Sequence, residues 1–344
     1  MAELRRDPLT HEWVIVAAER GQRPGHAWPR RAAPRDEPSH DEECPLCPGH
    51  EARTPPAVLV RPDNGPWRVR VVPNKYPIVA PAARGAARPS TGLLASAPAA
   101  GVHEVIVESP LHWRPIARME PSEVELILWT YRERHRALAR AAGVRYLLVF
   151  KNHGPTAGTS LPHPHSQLVA LPRVPDRVRR GLSIARAHRR RTGRVLHDDV
   201  LTEELRTGER VVVASERFVV HCPFASASPF AVQIGPRAAM PSFGDLADGA
   251  LGELAELLRD TLARLDLELD EPDFNYVLHS GLVGDPAARD DSWRIVLEPR
   301  LTIAAGFERA TGIDVNTVRP EDAAALLRRR ASTARDGQSP QCSS

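Results

Sequence analysis

What the chain lacks narrows it first. Four cysteines in 344 residues are too few for a fold stapled by disulfides. No run of about 18 apolar residues occurs, so the usual sign of a membrane-spanning helix is missing. The opening MAELRRDPLTHEW has no apolar stretch of the kind a secretion signal needs. A cytoplasmic location with no membrane partner is therefore expected. Charge of one sign is scarce too: 46 Lys and Arg against 43 Asp and Glu leave +3. That balance does not call for a nucleic-acid partner, and any polyanion site must be local. With 42% hydrophobic and 26% charged residues, the composition is that of a folded globular protein. The length suits two domains, or one domain built from two halves.

Residues 25–43 and 81–100 are rich in Pro, Ala, Arg and Ser without periodicity and read as long loops, and the stretch 331–344 reads as a disordered tail. Alternating apolar positions predict strands over 67–72, 105–107 and 146–150. Helical patterning appears twice. Ser122 and Glu125 form an S-x-x-E cap ahead of a helix reaching about Ala142. A second helix spans about 245–269, with Leu251, Leu254, Leu258 and Leu265 on one face.

These helices introduce an internal repeat. After the first comes YLLVFKNHG, ending at Gly154, and after the second FNYVLHSG, ending at Gly281, an offset of 127 residues. Pro172 and Pro299, each followed by arginine, stand at the same offset. The expected fold class is α+β, with two related halves, each an antiparallel sheet with a long helix packed on it, joined into one sheet around a pseudo-two-fold. Residues 1–185 and 186–330 are the expected halves. At this offset His163, His165 and Gln167 correspond to Asp290, Ser292 and Arg294. The strand therefore does not need the histidines for its own sake.

In LPHPHSQLVALP, His163, His165 and Gln167 alternate into an apolar strand, which puts all three side chains on one face. Pro164 marks a strand start or edge. The preceding GPTAGTS can offer backbone N–H groups to phosphate oxygens. Cys44 and Cys47, in ECPLCPGHE, have the C-x-x-C spacing that lets two thiolates reach one tetrahedral zinc. A redox pair is the rival reading, but no βαβ context follows and the flanking prolines suggest a zinc knuckle. The missing ligands would be histidines. His163 and His112 are candidates, with His103, His50 and His153 as competitors.

Taken with RDPLTHEWVIVAAERGQRP, VVPNKYP, GVHEVIVESPLH, NHGPTAGTSLPHPHSQ and GFERATGIDVN, these motifs resemble the galactose-1-phosphate uridylyltransferase family of the histidine-triad superfamily, whose signature is H-P-H-x-Q. The resemblance runs over nearly the whole chain and implies a fold of two fused histidine-triad-like halves. It implies that His165 is the nucleophile and Gln167 a donor to the phosphoryl oxygens, and that Cys44, Cys47, His112 and His163 hold one structural Zn2+. Asn152 and Ser160 match positions at the nucleotide phosphates, and Asn74 a motif near base and ribose. Arg20 and Arg23 match a basic pair that reaches the nucleotide site of a partner subunit, hence a homodimer. Phe307 and Glu308 match a sugar-binding loop. The implied reaction is uridylyl transfer between a nucleotide sugar and a hexose 1-phosphate, such as galactose 1-phosphate, through a covalent nucleotidyl-histidine.

Ser166 stands where the best-known members have glycine, and this H-P-H-S-Q form also resembles a branch that handles ADP-glucose by phosphorolysis. Ser292 and Arg294 occupy places where some members carry histidines of a second metal site, so no second site is expected despite His279. Two other readings remain: a zinc-stabilised nucleotide-binding protein without catalysis, and a hydrolase that gives the monophosphate to water.

Overall fold

The computed structural model describes residues 2–22, 38–81 and 93–336. The chain opens with β1 (Glu3–Arg6) and β2 (Trp13–Val16), then β3 (Leu59–Arg61), β4 (Val69–Pro73) and β5 (Val102–Val107). Helix α1 (Pro121–Ala139) precedes β6 (Tyr146–His153) and β7 (His165–Leu171). Helices α2 (Asp176–Thr192) and α3 (Leu196–Thr207) lead to β8 (Val211–Ala214), β9 (Phe218–His221) and β10 (Val232–Pro236). The remainder is α4 (Asp248–Leu269), β11 (Phe274–His279), β12 (Arg294–Pro299), α5 (Gly306–Thr311), β13 (Asp314–Asn316) and α6 (Pro320–Asp336).

Ten strands form one antiparallel sheet in the order β3-β4-β5-β7-β6-β11-β12-β10-β9-β8. Read inward from either edge, each half has the same connectivity, and β6 and β11 join them, with Phe150 opposite Val277. The α+β expectation and the single continuous sheet are both observed. A small second sheet sets β2 between β1, antiparallel, and β13, parallel.

Strand alternation decides which face is core. Leu147, Val149, Leu168 and Ala170 of the first half, and Tyr276, Leu278, Ile295 and Leu297 of the second, are buried in one cluster with α1 and α4. Each fully buried Leu or Ile there contributes about 2 kcal/mol of hydrophobic stabilisation. The opposite face of β6 and β7 carries Asn152, His165 and Gln167. Among the described residues, no helix is long and apolar enough to cross a membrane.

Several boundaries differ from the sequence reading. Helix α1 starts at Pro121, whose fixed φ and missing N–H suit a first helical position. The cap is Glu120, its N–H bonded to Glu123 Oε2 at 2.8 Å, so the box lies ahead of Ser122 and Glu125. The helix ends at Ala139, short of Ala142. Helices α2 and α3 went unanticipated because their apolar stripes are thin: in α2 only Leu182 and Ala185 are buried. Residue 185, expected to close the first half, lies inside α2. Helix α6 continues past 331 to Asp336.

Candidate active site and metal centre

Strand β7 lies between β5 and β6, so a side chain on its open face is held by two neighbouring strands. Its first residue is His165. The ring Nδ1–H donates to the carbonyl of His163 at 2.8 Å, which leaves Nε2 with its lone pair free. Burial lowers the pKa of His165, keeping the ring neutral. Asn152, Gly154, Ser160 and His165 share a small cleft of about 160 Å³. Gln167 lies farther along the same strand face, outside that cleft.

The loop between β6 and β7 is pinned by the second half of the chain. Gly154 has φ +84, and a Cβ there would come within 1.7 Å of Asp273 Oδ1, so only glycine fits. Asp273 in turn accepts from the Thr156 N–H at 2.7 Å and its hydroxyl at 2.6 Å. Asn275 donates its amide to Asn152 Oδ1 at 2.7 Å and to the Ala157 carbonyl at 2.9 Å, while Arg300 bonds Asn275 Oδ1. With its oxygen engaged, Asn152 has its NH₂ group to offer a ligand.

Cys44, Cys47, His112 and His163 converge in a buried group whose ligand atoms lie within 4.8 Å of one another. His163 Nδ1 is 3.7 Å from Cys44 Sγ and 3.6 Å from Cys47 Sγ, and His112 Nδ1 is 3.4 Å from Cys47 Sγ. Donors about 2.0 to 2.3 Å from a shared tetrahedral ion stand at such separations. The outer nitrogens fit as well. His163 Nε2–H donates to the Ser109 carbonyl at 2.8 Å, and His112 Nε2 faces Asp41 at 3.7 Å, the support that metal-binding imidazoles use. Without a cation, burial pushes the Cys44 thiol up to about 11, so the group suits a metal ion that would hold it as thiolate.

The three competing histidines have other work. His50 Nδ1 bonds the Cys44 carbonyl at 2.7 Å, His153 stacks on Phe274, and His103 lies against Gln167. The remaining expected site residues fall in two places. Asn74 is half-buried beside His103. Arg20, Phe307 and Glu308 border a separate cavity of about 820 Å³, and Glu308 also caps α5 by accepting from the Ala305 N–H at 3.0 Å. Arg23 lies outside the described residues. Ser166, the branch-marking residue, is fully buried on the helix side of β7, so it does not face a ligand in the cleft.

One feature escaped the sequence reading. Behind β7, the buried Lys151 ammonium pairs with the buried Glu108 carboxylate and donates to the His165 carbonyl at 3.1 Å. Tyr131 donates to Glu108 at 2.8 Å and touches Tyr276 across the two halves. The signal was a lone Lys in YLLVFKNH and the second of two Glu in VHEVIVE, charges on strands otherwise rich in apolar residues.

A ten-stranded antiparallel sheet of two like-ordered halves, with H-P-H-S-Q entering its middle, is the arrangement that the family resemblance implies. Residues 1–175 match the galactose-1-phosphate uridyl transferase N-terminal domain, and the chain belongs to that family. It is 32% identical to an ADP-glucose phosphorylase of Arabidopsis thaliana over 95% of this chain and 92% of that protein. It is 28% identical to a galactose-1-phosphate uridylyltransferase of Thermotoga maritima over 95% and 98%. A crystal structure of an Arabidopsis thaliana ADP-glucose phosphorylase with bound ADP-glucose superposes with a TM-score of 0.81 at 31% identity, over 95% of this chain and 99% of that one.

Proposed function

We propose that the chain is a nucleotidylyltransferase acting on a nucleotide sugar by two displacements at His165. The observation that carries this reading is the His165 ring, neutral, with Nδ1–H tied to a carbonyl and Nε2 unprotonated at the cleft. Nε2 attacks the α-phosphorus, an N–P bond forms, and the P–O bond to the sugar phosphate breaks with its electrons leaving on that phosphate. The proton stays on Nδ1, donated to the His163 carbonyl, throughout. In the second step a phosphate oxygen of the acceptor attacks the same phosphorus and the N–P bond returns its electrons to Nε2.

Such transfer depends on positioning and on donors around the phosphorus. Gln167, the Asn152 amide, Ser160 and loop N–H groups supply them in this reading, with Asn74 near base and ribose. Cys44, Cys47, His112 and His163 would hold Zn2+, which the donor set suits, and which would clamp the backbone from which His165 projects. Arg20 and Arg23, with Phe307 and Glu308, complete the site of a second copy, since the described members of this set border a cavity apart from His165. The active form is then a homodimer. The reactive residues belong to the first half, about 1–185, and the second half supplies support.

Uridylyl transfer from UDP-glucose to a hexose 1-phosphate is the activity that the family resemblance implies. Adenylyl transfer from ADP-glucose to phosphate is the second reading. The serine in H-P-H-S-Q and the 32% identity to an ADP-glucose phosphorylase, against 28% to a uridylyltransferase, favour it. Intact mass after incubation with UDP-glucose or ADP-glucose separately, kept away from acid, tests both. The nucleotide whose monophosphate adds to the unaltered protein and not to His165→Ala identifies the donor. No adduct with either, on protein that still binds nucleotide, sinks the catalytic reading in favour of a binding protein.

A further inference from the structure

The orientation of the Gln167 amide is set by a chain of hydrogen bonds that begins in the backbone two strands away. His103, on β5, is 5% exposed. Its Nδ1 accepts from the Ile78 N–H at 3.2 Å. A neutral imidazole that accepts at Nδ1 must carry its proton on Nε2, and burial lowers the His103 pKa, which favours the neutral ring. Nε2–H therefore donates to Gln167 Oε1 at 2.8 Å. The reversed amide would set its NH₂ against Nε2–H, so of the two Gln167 orientations only this one bonds the ring; the Asn74 amide nitrogen, 3.2 Å from the same Nε2, is then a neighbour and not a partner. With Oε1 held by His103, the NH₂ end of Gln167 is the end left to meet a ligand.

The segment that fixes His103 is itself anchored to it. The Asn74 N–H donates to the His103 carbonyl at 2.8 Å, and Asn74 Oδ1 accepts from the Tyr76 N–H at 2.8 Å. The turn 74–78 thus presents the Ile78 N–H to the ring. Neighbouring strands hold the rest: in the β5–β7 pairing His103 is opposite Val169 and Gln167 opposite Val105, one diagonal step apart on the same face.

We infer that His103 is a positioning residue for nucleotidyl transfer: held by the 74–78 turn, it locks Gln167 with its NH₂ group toward the phosphoryl oxygens. Without that lock the amide can turn its oxygen, an acceptor, toward an anion. The inference rests on the nucleotidyl-transfer reading. His103 touches no reacting atom, so its effect appears only through Gln167.

The test is a double-mutant cycle read by the rate of adduct formation from the donor nucleotide, with steady-state kcat and KM alongside. His103→Phe removes the donor and His103→Gln restores one. Expected is a loss in kcat of about tenfold or more for His103→Phe with little change in KM, a smaller loss for His103→Gln, and no further loss when His103→Phe is added to Gln167→Ala. Metal content and thermal midpoint measured on each variant report folding, and His103→Gln carries the test if His103→Phe does not fold. Equal losses in both backgrounds, or a normal rate for His103→Phe, would overturn the inference. An unaltered protein that takes up no adduct overturns the transfer reading itself, whereas additive losses on a protein that labels normally overturn only the role of His103.

Discussion

The two halves of the sheet hold the same positions and make different sites of them. Asn152, His165 and Gln167 in the first half stand where the 127-residue offset puts His279, Ser292 and Arg294 in the second. The register extends the correspondence, for His103 lies opposite Val169 as Gln233 lies opposite Val296. The second half also keeps a cavity there, of about 280 Å³, bordered by Gln233, His279, Arg294 and Arg177. Yet its groups are committed. Ser292 is 1% exposed, with its hydroxyl against the Met240 carbonyl at 3.3 Å, and Arg177, from α2, pairs with Glu12 at 2.7 Å. The β1–β2 turn, α2 and β13 close over this face of the second half, whereas in the first half the corresponding strand begins at an open cleft. Fold position alone does not make the chemistry. It comes from the side chain placed there and from what covers it.

The sharpest way to break this comparison is to remove the reactive side chain from one half and its counterpart from the other. His165→Ala should abolish the covalent adduct and lower turnover by about 10³-fold or more. Ser292→Ala should leave labelling within about twofold. An adduct that survives His165→Ala, or disappears with Ser292→Ala, would mean that the reactive group is in the wrong half. Next in size is the metal group, which has no counterpart in the second half among the described residues. Cys44→Ser and His112→Ala should lose the metal and on the order of 10 °C in thermal midpoint, while Gln167→Ala keeps both. Equal metal content in all three variants would remove the assignment.

These contrasts could be read from residues to different degrees. The repeat foretold the joined halves because Gly154 and Gly281, Pro172 and Pro299 are backbone punctuation, which survives when side chains diverge. The metal group was half visible: C-x-x-C names two ligands by spacing, but His112 and His163 reach them through the pairing of β5 with β7, which no local pattern encodes. Helices α2 and α3 were hidden by their polar surfaces. His103 was weighed only as a metal ligand, because its partner Gln167 is 64 residues away and meets it only across two strands. Ser166 marks a branch by its place in the motif, and strand alternation turns it to the core.

A third contrast lies under the cleft. Lys151 and Glu108 form a buried ion pair beneath His165, and the equivalent of Lys151 by the 127-residue offset is the apolar Leu278. Lys151→Met leaves the Glu108 carboxylate buried without its cation, which should cost about 3 kcal/mol in urea unfolding and slow adduct formation. Changing both residues to apolar ones should recover the stability. If the double variant also labels at the full rate, the pair serves folding alone and the His165 carbonyl contact has no part in positioning.

The smallest effect concerns acid. His221, on β9 in the second half, is buried with Nδ1 unpartnered, and burial, with His197 and Arg210 nearby, pushes its pKa down to about 3. In the unfolded chain an imidazole takes its proton near pH 6.5. Between those values the unfolded state binds the extra proton, so stability is full above about pH 6.5 and falls as pH drops toward 3. At pH 4.5 this one group should have removed roughly 2 to 3 kcal/mol relative to pH 7. His221→Leu should therefore flatten the pH dependence by about one proton's slope, seen as a smaller loss of urea stability between pH 7 and 4.5. An unchanged slope would mean that His221 takes up its proton within the fold, and the acid sensitivity would then have to come from elsewhere in the core.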